Sequence, residues 1–266
     1  MSAPAWKRAP EEPLPGRQPE VVLERERRGR LGLVRVPAAL LLLGVVAAAG
    51  YLGAGTPWGA DLPQRVAAIA GGHQLRPDDV PPVLAQAVVA VEDERFYVHH
   101  GLDTLGTARA MWDDVTGLCA CEGGSTITQQ LVKNVYYQSD DRIVRKVPGM
   151  AVALKIELRY DKRTILADYL SVVPTGYGLV GARAAACAYF DRRLPQLSVS
   201  QAAELAGMLA APSIYDPRLN PDLAQSRRDH ALDRMVEVGY LSSARAAAAK
   251  ADPVLAADAA HSPSCD

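Results

Sequence analysis

Val83 to Gly101 reads VLAQAVVAVEDERFYVHHG. Val83, Ala87 and Val91 form one apolar row, and Leu84 and Val88 a second, at the steps of a helix. The second row runs on in steps of four through Glu92 to Phe96, so a carboxylate sits on the side that should face a core. An acid in line with buried side chains is paired, has a perturbed pKa, or does chemistry. A helix-end acid that reaches solvent is the plainer reading of the spacing alone.

Around this stretch the chain of 266 residues has room for one sizeable core. It is rich in Ala and Leu and has only two Phe, which favours helices over sheets. The net charge of −1 points to no partner, and none of nucleic-acid type is expected. The distribution of charge is more telling. Arg25, Arg27, Arg28, Arg30 and Arg35 precede an uncharged run of 25 residues from Val36 to Ala60, whose core reads AALLLLGVVAAAGYLG. About 20 apolar residues span a bilayer, and arginines on one flank hold that flank in the cytoplasm. The reading is a disordered cytoplasmic tail over 1–35, a transmembrane anchor over 36–58 and a stem over 59–80. A domain over 81–250 on the outer side of the cell membrane and a flexible tail over 251–266 complete it. A cleaved signal peptide is the rival to the anchor.

Beyond Gly101 the pattern predicts an all-α domain. Helices are expected at Thr104–Val115, at Thr126 to about Tyr137 with Ser125 as N-cap, and around Pro148. The Pro148 segment is apolar nearly all round (Met150, Val152, Leu154, Ile156, Leu158) and reads as a central buried helix. Further helices are expected at Lys162–Val173, at Leu179–Phe190, from a Ser198/Gln201 capping box to Ala210, from Asn220–Pro221 to near Gly239, and at Ser243–Ala251. Of the cysteines, Cys119, Cys121, Cys187 and Cys265, the outer compartment permits three complete pairings. Cys187, in an Ala-rich helix, reads most simply as a small buried residue, and no metal-ligand set stands out.

Three polar clusters could carry chemistry: Glu92–Asp93 with His99; the run Gly123 to Asn134; and Arg145–Lys146, followed by Arg159 and Lys162. A Gly-Gly before a helix start leaves free N–H groups for an anion, nearby cations complement a diphosphate, and an inward carboxylate can act as general base. Together these suggest transfer of a group from a phosphate-linked donor. Caps and solvated charges explain each cluster separately.

AVVAVEDERFYVHHG also resembles the E-D-x-x-F-x-x-H-x-G motif of glycosyltransferase family 51, the peptidoglycan glycosyltransferases. GGSTITQQLVKN at 123–134 is similar to that family's second motif. RKV at 145–147 with ALKIEL at 153–158, KRTILADYL at 162–170, and the run from Ala184 to Pro217 resemble the third, fourth and fifth. The resemblance covers roughly residues 65–245. It implies a lysozyme-like helical glycosyltransferase domain on one N-terminal transmembrane helix. The implied enzyme polymerises lipid II into glycan strands, with undecaprenyl diphosphate as leaving group. It implies Glu92 as the base that deprotonates the acceptor hydroxyl. Asp93, Phe96, His99, Ser125, Thr126, Gln129, Gln130, Lys133, Asn134, Arg145 and Lys146 are the implied substrate-binding residues. A divalent cation (Mg²⁺ or Mn²⁺) is the implied cofactor. The partners implied are lipid II, the nascent glycan strand, the membrane and a separate transpeptidase, since neither S-x-x-K nor K-T-G occurs.

The chain departs from the family pattern at one chemical position. The third motif reads R-K-x-x-E, and here the glutamate position is Gly149, preceded by Pro148. Ser171 also replaces a usual Asn. Asp140, Asp141 or Glu157 could stand in for the missing carboxylate. The alternative is a degenerate member that binds lipid-linked precursor or cell-wall partners without turnover. A lysozyme-like lytic enzyme is a third reading, and the diphosphate-gripping second motif argues against it.

Overall fold

The computed structural model describes residues 40–47, 49–106, 124–138, 146–253 and 265. The chain divides into two units, Met1–Gly53 and Ala54–Asp266. In the first, residues 40–47 and 49–53 are helical, and Leu40 to Leu43, Val45 and Val46 are exposed. Among the described residues no helix is long and apolar enough to cross a membrane. Residues 1–39 and 48, which include part of the expected anchor, lie outside the described residues.

The second unit is helical. Its elements are α1 (Leu62–Ile69), α2 (Pro82–Glu92), α3 (Ile127–Tyr136), α4 (Lys146–Glu157), α5 (Lys162–Val172), α6 (Ala182–Phe190), α7 (Val199–Met208), α8 (Pro221–Glu237) and α9 (Ser243–Ala251). Among the described residues the only β pairing is an isolated antiparallel bridge, Pro174 with Val180. Prolines open α1, α2 and α8, where the missing N–H costs nothing. Asp161 caps α5, and Ser198 with Gln201 forms the expected box on α7. α7 and α8 pack together and both lie against α2; α3 lies between α4 and α5. Leu84, Val88, Ile127, Leu131, Ile165 and Leu205 are fully buried where these helices meet.

Several expectations change in the structure. The helix of the opening stretch stops at Glu92, because Asp93 leaves helical geometry at φ −163° and ψ 74°. Phe96 is still fully buried, but from the following turns and not from a continued helical row. α3 is capped by Thr126, not Ser125: the Thr126 side chain accepts from Gln129 N, and the Gln129 side chain accepts from Thr126 N. α6 begins at Ala182, since Leu179–Gly181 is engaged with Val173–Gly176. α4 is not central. It buries Val152, Ala153 and Ile156 but exposes Val147 and Leu154, with Leu158 just past its end 83% exposed. The expected stem contributes to the core through Leu62, Val66 and Leu75. Lys155 of α4 reaches back to Thr56, donating to its carbonyl at 2.9 Å and its hydroxyl at 2.7 Å.

Cys187 is half-buried and joined to Cys265 by a disulfide, with Cα atoms 5.7 Å apart. It is therefore a crosslink and not a simple buried thiol. Cys119, Cys121 and the expected helix beyond Gly106 lie outside the described residues.

Candidate functional site

The end of α2 and the beginning of α3 meet at a buried carboxylate, Asp93. Its Oδ2 accepts from Ile127 N at 3.0 Å and from His99 Nε2 at 2.9 Å. Gly101 N donates to His99 Nδ1 at 3.2 Å, so Nε2 is the ring nitrogen that carries a proton toward Asp93. Thr126 Oγ1 donates to Gly101 O at 2.8 Å. The turns from Asp93 to Gly101 are thereby riveted to the first turn of α3. An anion at that helix start also suits the macrodipole. Gly101 has φ +88°, and a Cβ there would lie 3.1 Å from the Ala153 carbonyl group, so only glycine lets this turn close on α4.

That arrangement answers the expectation of free N–H groups before α3. Ile127 N–H is taken by Asp93 and Gln129 N–H by Thr126. Beneath them Glu157 is held by Thr128 Oγ1 at 2.5 Å and Lys162 Nζ at 2.8 Å. Lys162 Nζ also lies 4.4 Å from the Phe96 ring centre. A buried acid held by a lysine and a hydroxyl is a structural support. Glu157 cannot swing out to replace a missing carboxylate without giving up both Thr128 and Lys162.

A cleft of about 630 Å³ opens above this platform. Glu92 lines it from the end of α2. Gly124, Ser125, Gln129, Gln130, Lys133 and Asn134 line it from the start and one face of α3. Their placement follows from the cap: Thr126 fixes the rotation of α3, which buries Ile127, Leu131 and Val135 and turns the polar face to the cleft. Glu92 Oε2 accepts from Gln130 Nε2 at 2.7 Å, and Gln130 Oε1 accepts from the Tyr169 hydroxyl at 3.0 Å. Tyr169, on α5, is completely buried, and its hydroxyl pKa is driven well up, first by burial and then by the charge of Glu92.

Of the sequence-predicted residues, Glu92, Ser125, Gln129, Gln130, Lys133 and Asn134 therefore come together in one cleft. Asp93, Phe96, His99 and Thr126 are buried behind it. Lys146 is exposed at the start of α4 and does not line the cleft; Arg145 lies outside the described residues, as do Asp140 and Asp141. Gly149 does not have a positive φ. A Cβ there would meet Tyr137 Cε2 at 3.8 Å and Val132 Cγ1 at 3.9 Å, ordinary contacts. A side chain is thus sterically admissible where the carboxylate is missing.

The cleft's other wall escapes the sequence reading. Val173 and Pro174 follow α5, Leu209, Ala210 and Pro212 follow α7, and Arg227 comes from α8. Arg227 donates from Nε to Gly207 O at 3.2 Å and stacks 5.3 Å from the Tyr215 ring centre. It stands among many charged residues of α8, and no motif marks it. Tyr169 lies inside a recognisable motif, but spacing assigns it no task.

The described residues do not by themselves make a divalent-cation site. Among them no three His, Cys, Asp or Glu side chains converge, and Glu92 is the one acid of the described cleft lining. Magnesium at a phosphoryl site is held through one or two carboxylates plus substrate oxygens. Gly149 supplies none, and Glu157 is committed to Lys162.

Comparison with known proteins gives one consistent result. The family model described as Transglycosylase matches residues 68–236. Penicillin-binding protein 1F of Bacillus subtilis (strain 168) is 40% identical over 173 residues, 65% of this chain and 24% of that protein. Penicillin-binding protein 1A of Vibrio cholerae serotype O1 is 38% identical over 181 residues, 68% of this chain and 22% of that protein. A monofunctional glycosyltransferase of Staphylococcus saprophyticus is 40% identical over 166 residues, 60% of this chain and 61% of that protein. The chain thus spans about a quarter of the penicillin-binding proteins and about three-fifths of the monofunctional relative.

Proposed function

The chain belongs to the transglycosylase family, glycosyltransferase family 51, and from that premise we propose that it is a peptidoglycan glycosyltransferase that polymerises lipid II with Glu92 as general base. The observation that carries this reading is the placement of Glu92. Its carboxylate ends α2 at the wall of the cleft, one oxygen anchored by Gln130, in the company of Ser125, Gln129, Lys133 and Asn134.

The reaction divides between two sides of that cleft. Glu92 takes the proton of the acceptor sugar's hydroxyl as its oxygen forms a bond to the donor's anomeric carbon. The bond from that carbon to the diphosphate oxygen breaks, and undecaprenyl diphosphate leaves with the electron pair. Lys133, with Arg145 and Lys146, complements the charge that grows on the leaving group. Ser125 and Asn134 offer polar side chains to the donor sugar, and Gln129, whose amide oxygen is taken by Thr126 N, offers its NH₂ group. A divalent cation bound with the diphosphate would add its charge to that of Lys133, Arg145 and Lys146. Asp93, Phe96, His99 and Thr126 serve the substrate indirectly, by holding the ground under Glu92 and α3.

The substrate's lipid requires a membrane. The exposed apolar residues Val147, Leu154 and Leu158, next to Lys146, support docking of this side of α4 on a lipid surface. The apolar run 36–58 is proposed as a single-pass anchor with a cytoplasmic N-terminus and the domain outside. A separate transpeptidase is the proposed partner for crosslinking the product.

A second reading is favoured by Gly149. Without that carboxylate, and with Glu157 committed to Lys162, the chain would bind lipid-linked precursor and leave it unchanged. Incubating the purified full chain with lipid II in detergent separates the two. Polymer formed by the wild type and lost in Glu92→Gln supports the enzyme. Lipid II bound with no polymer from either protein supports the binder, and polymer from both removes Glu92 as base.

A further inference from the structure

We propose that Tyr169 is a positioning residue that holds Glu92 in its ionised form, acting through the side-chain amide of Gln130. The inference rests on the reading of Glu92 as base.

An ionised carboxylate only accepts hydrogen bonds. The Gln130 atom 2.7 Å from Glu92 Oε2 must then be the NH₂ group, which leaves the amide oxygen facing Tyr169 at 3.0 Å. That oxygen needs a donor, and Tyr169 keeps its proton because burial and the nearby negative charge both oppose its loss. The hydroxyl therefore fixes which end of the amide meets the base. If the amide were reversed, two acceptors would stand 2.7 Å apart beside Glu92 unless Glu92 were protonated. A hydrogen bond made to the charged form favours that form, so the relay from Tyr169 lowers the pKa of Glu92.

The hydroxyl also suits the second half of the cycle. Once Glu92 has taken the acceptor's proton, it can donate to the amide oxygen of a turned Gln130. The NH₂ group then points at the tyrosine oxygen, which can accept. A hydroxyl can partner either orientation, and a phenyl ring neither. No proton travels along the relay; it only follows the state of Glu92.

The test replaces Tyr169→Phe in the full chain, in detergent, with two readouts. The first is the titration of the Glu92 carboxyl by carbon-13 NMR, assigned by the signal missing from Glu92→Gln. In Tyr169→Phe it is expected to titrate about half a pH unit or more higher, and this readout needs no turnover. The second is lipid II polymerisation against pH. Here kcat is expected to fall about tenfold with KM little changed, and the acidic limb is expected to move to higher pH. Gln130→Leu should shift the same titration, and adding Tyr169→Phe to it should change nothing more, because the relay is already cut.

An unchanged Glu92 titration in a folded Tyr169→Phe protein overturns the proposal. So does a Tyr169→Phe effect that persists in full in the Gln130→Leu background. If Tyr169→Phe does not fold, Gln130→Leu alone decides, and an unshifted Glu92 titration in it sinks the relay. Failure of the underlying reading looks different: Glu92→Gln would then polymerise lipid II as well as the wild type, whatever Tyr169 does to the titration.

Discussion

The two halves of the proposed reaction are built to different standards. On the base side, Glu92 is anchored through Gln130 to the fully buried Tyr169, and the next residue, Asp93, ties three segments together. On the leaving-group side, the start of α4 presents Lys146 in the open and Gly149 where a carboxylate belongs to the family pattern, while Glu157 is locked under Thr128 and Lys162. A base must hold one oxygen steady against a hydroxyl, so it needs a rigid, partly dry setting. A diphosphate carries its own charges and can be met by mobile cations. The difference implies that this chain gives up precision at the diphosphate sooner than at the base.

The largest effect should come from the proposed base. Glu92→Gln keeps the shape and the Gln130 contact but cannot take a proton, and polymerisation of lipid II should fall by about 10²–10⁴-fold. A fall of similar size in Lys146→Ala would reverse the ranking of the two halves. Next is the joint beneath it. Asp93→Ala leaves the Ile127 N–H and the His99 Nε2–H without their acceptor in a buried setting, and urea unfolding should report a loss of about 2–4 kcal/mol. A loss under about 1 kcal/mol would mean that the joint is not what makes the base side rigid.

The scaffold behind the base side also carries a cost that pH can reveal. Glu204, on α7, is buried, and its pKa is pushed up to about 7 from the ordinary 4.5, by burial first and against the pull of Arg228. The folded chain therefore holds this proton more tightly than the unfolded one. Its contribution to stability is fully present below pH 4.5 and is lost as pH rises through about 7. The difference amounts to about 3 kcal/mol at most. Glu204→Gln should be more stable than the wild type at pH 8 by up to that amount, and nearly equal to it at pH 4.5. Chemical denaturation at the two pH values checks this, and a gain that is the same at both would show that the proton is not its source.

The smallest effect should be a gain. Gly149 has room for a side chain, so Gly149→Glu restores a carboxylate to the weaker half without clash at Cβ. Polymerisation should rise about tenfold if the leaving-group side limits the rate, equivalent to about 1.4 kcal/mol of barrier. An unchanged rate would place the limiting step on the base side or in product release. Polymer that appears only in Gly149→Glu would mark the native chain as a binder.

Much of this comparison can be read from the sequence, and the parts that cannot share a cause. Helix α2 follows from the rows through Val83 and Leu84, and α7 from Ser198 and Gln201, because periodicity and capping act within a few residues. Glu92 and the polar face of α3 were legible for the same reason. The α3 cap is locally ambiguous between Ser125 and Thr126, and Thr126 takes the position because its hydroxyl meets Gly101 O, a partner 25 residues away. Within one motif, nothing in the spacing separates Asp93, Phe96 and His99 from Glu92. Asp93 and Phe96 find partners in α3 and at Lys162, out of reach of any local pattern, and His99 is drawn in with them through Asp93.

The sequence by itself determined most of the described helical segments from α2 onward, the polar stretch from Ser125 to Asn134, the presence of an acid at Glu92 and its absence at Gly149; it missed α1, which it read as stem. These are facts of residue identity and short-range spacing. Only the tertiary structure decided which polar groups face the cleft and which are consumed in holding it. A buried charge or amide must find a partner, and here those partners come from distant segments: Asp93 with Ile127, Glu157 with Thr128, Gln130 with Glu92 and Tyr169. That requirement divides residues of one motif into those that line the cleft and those that hold it in place.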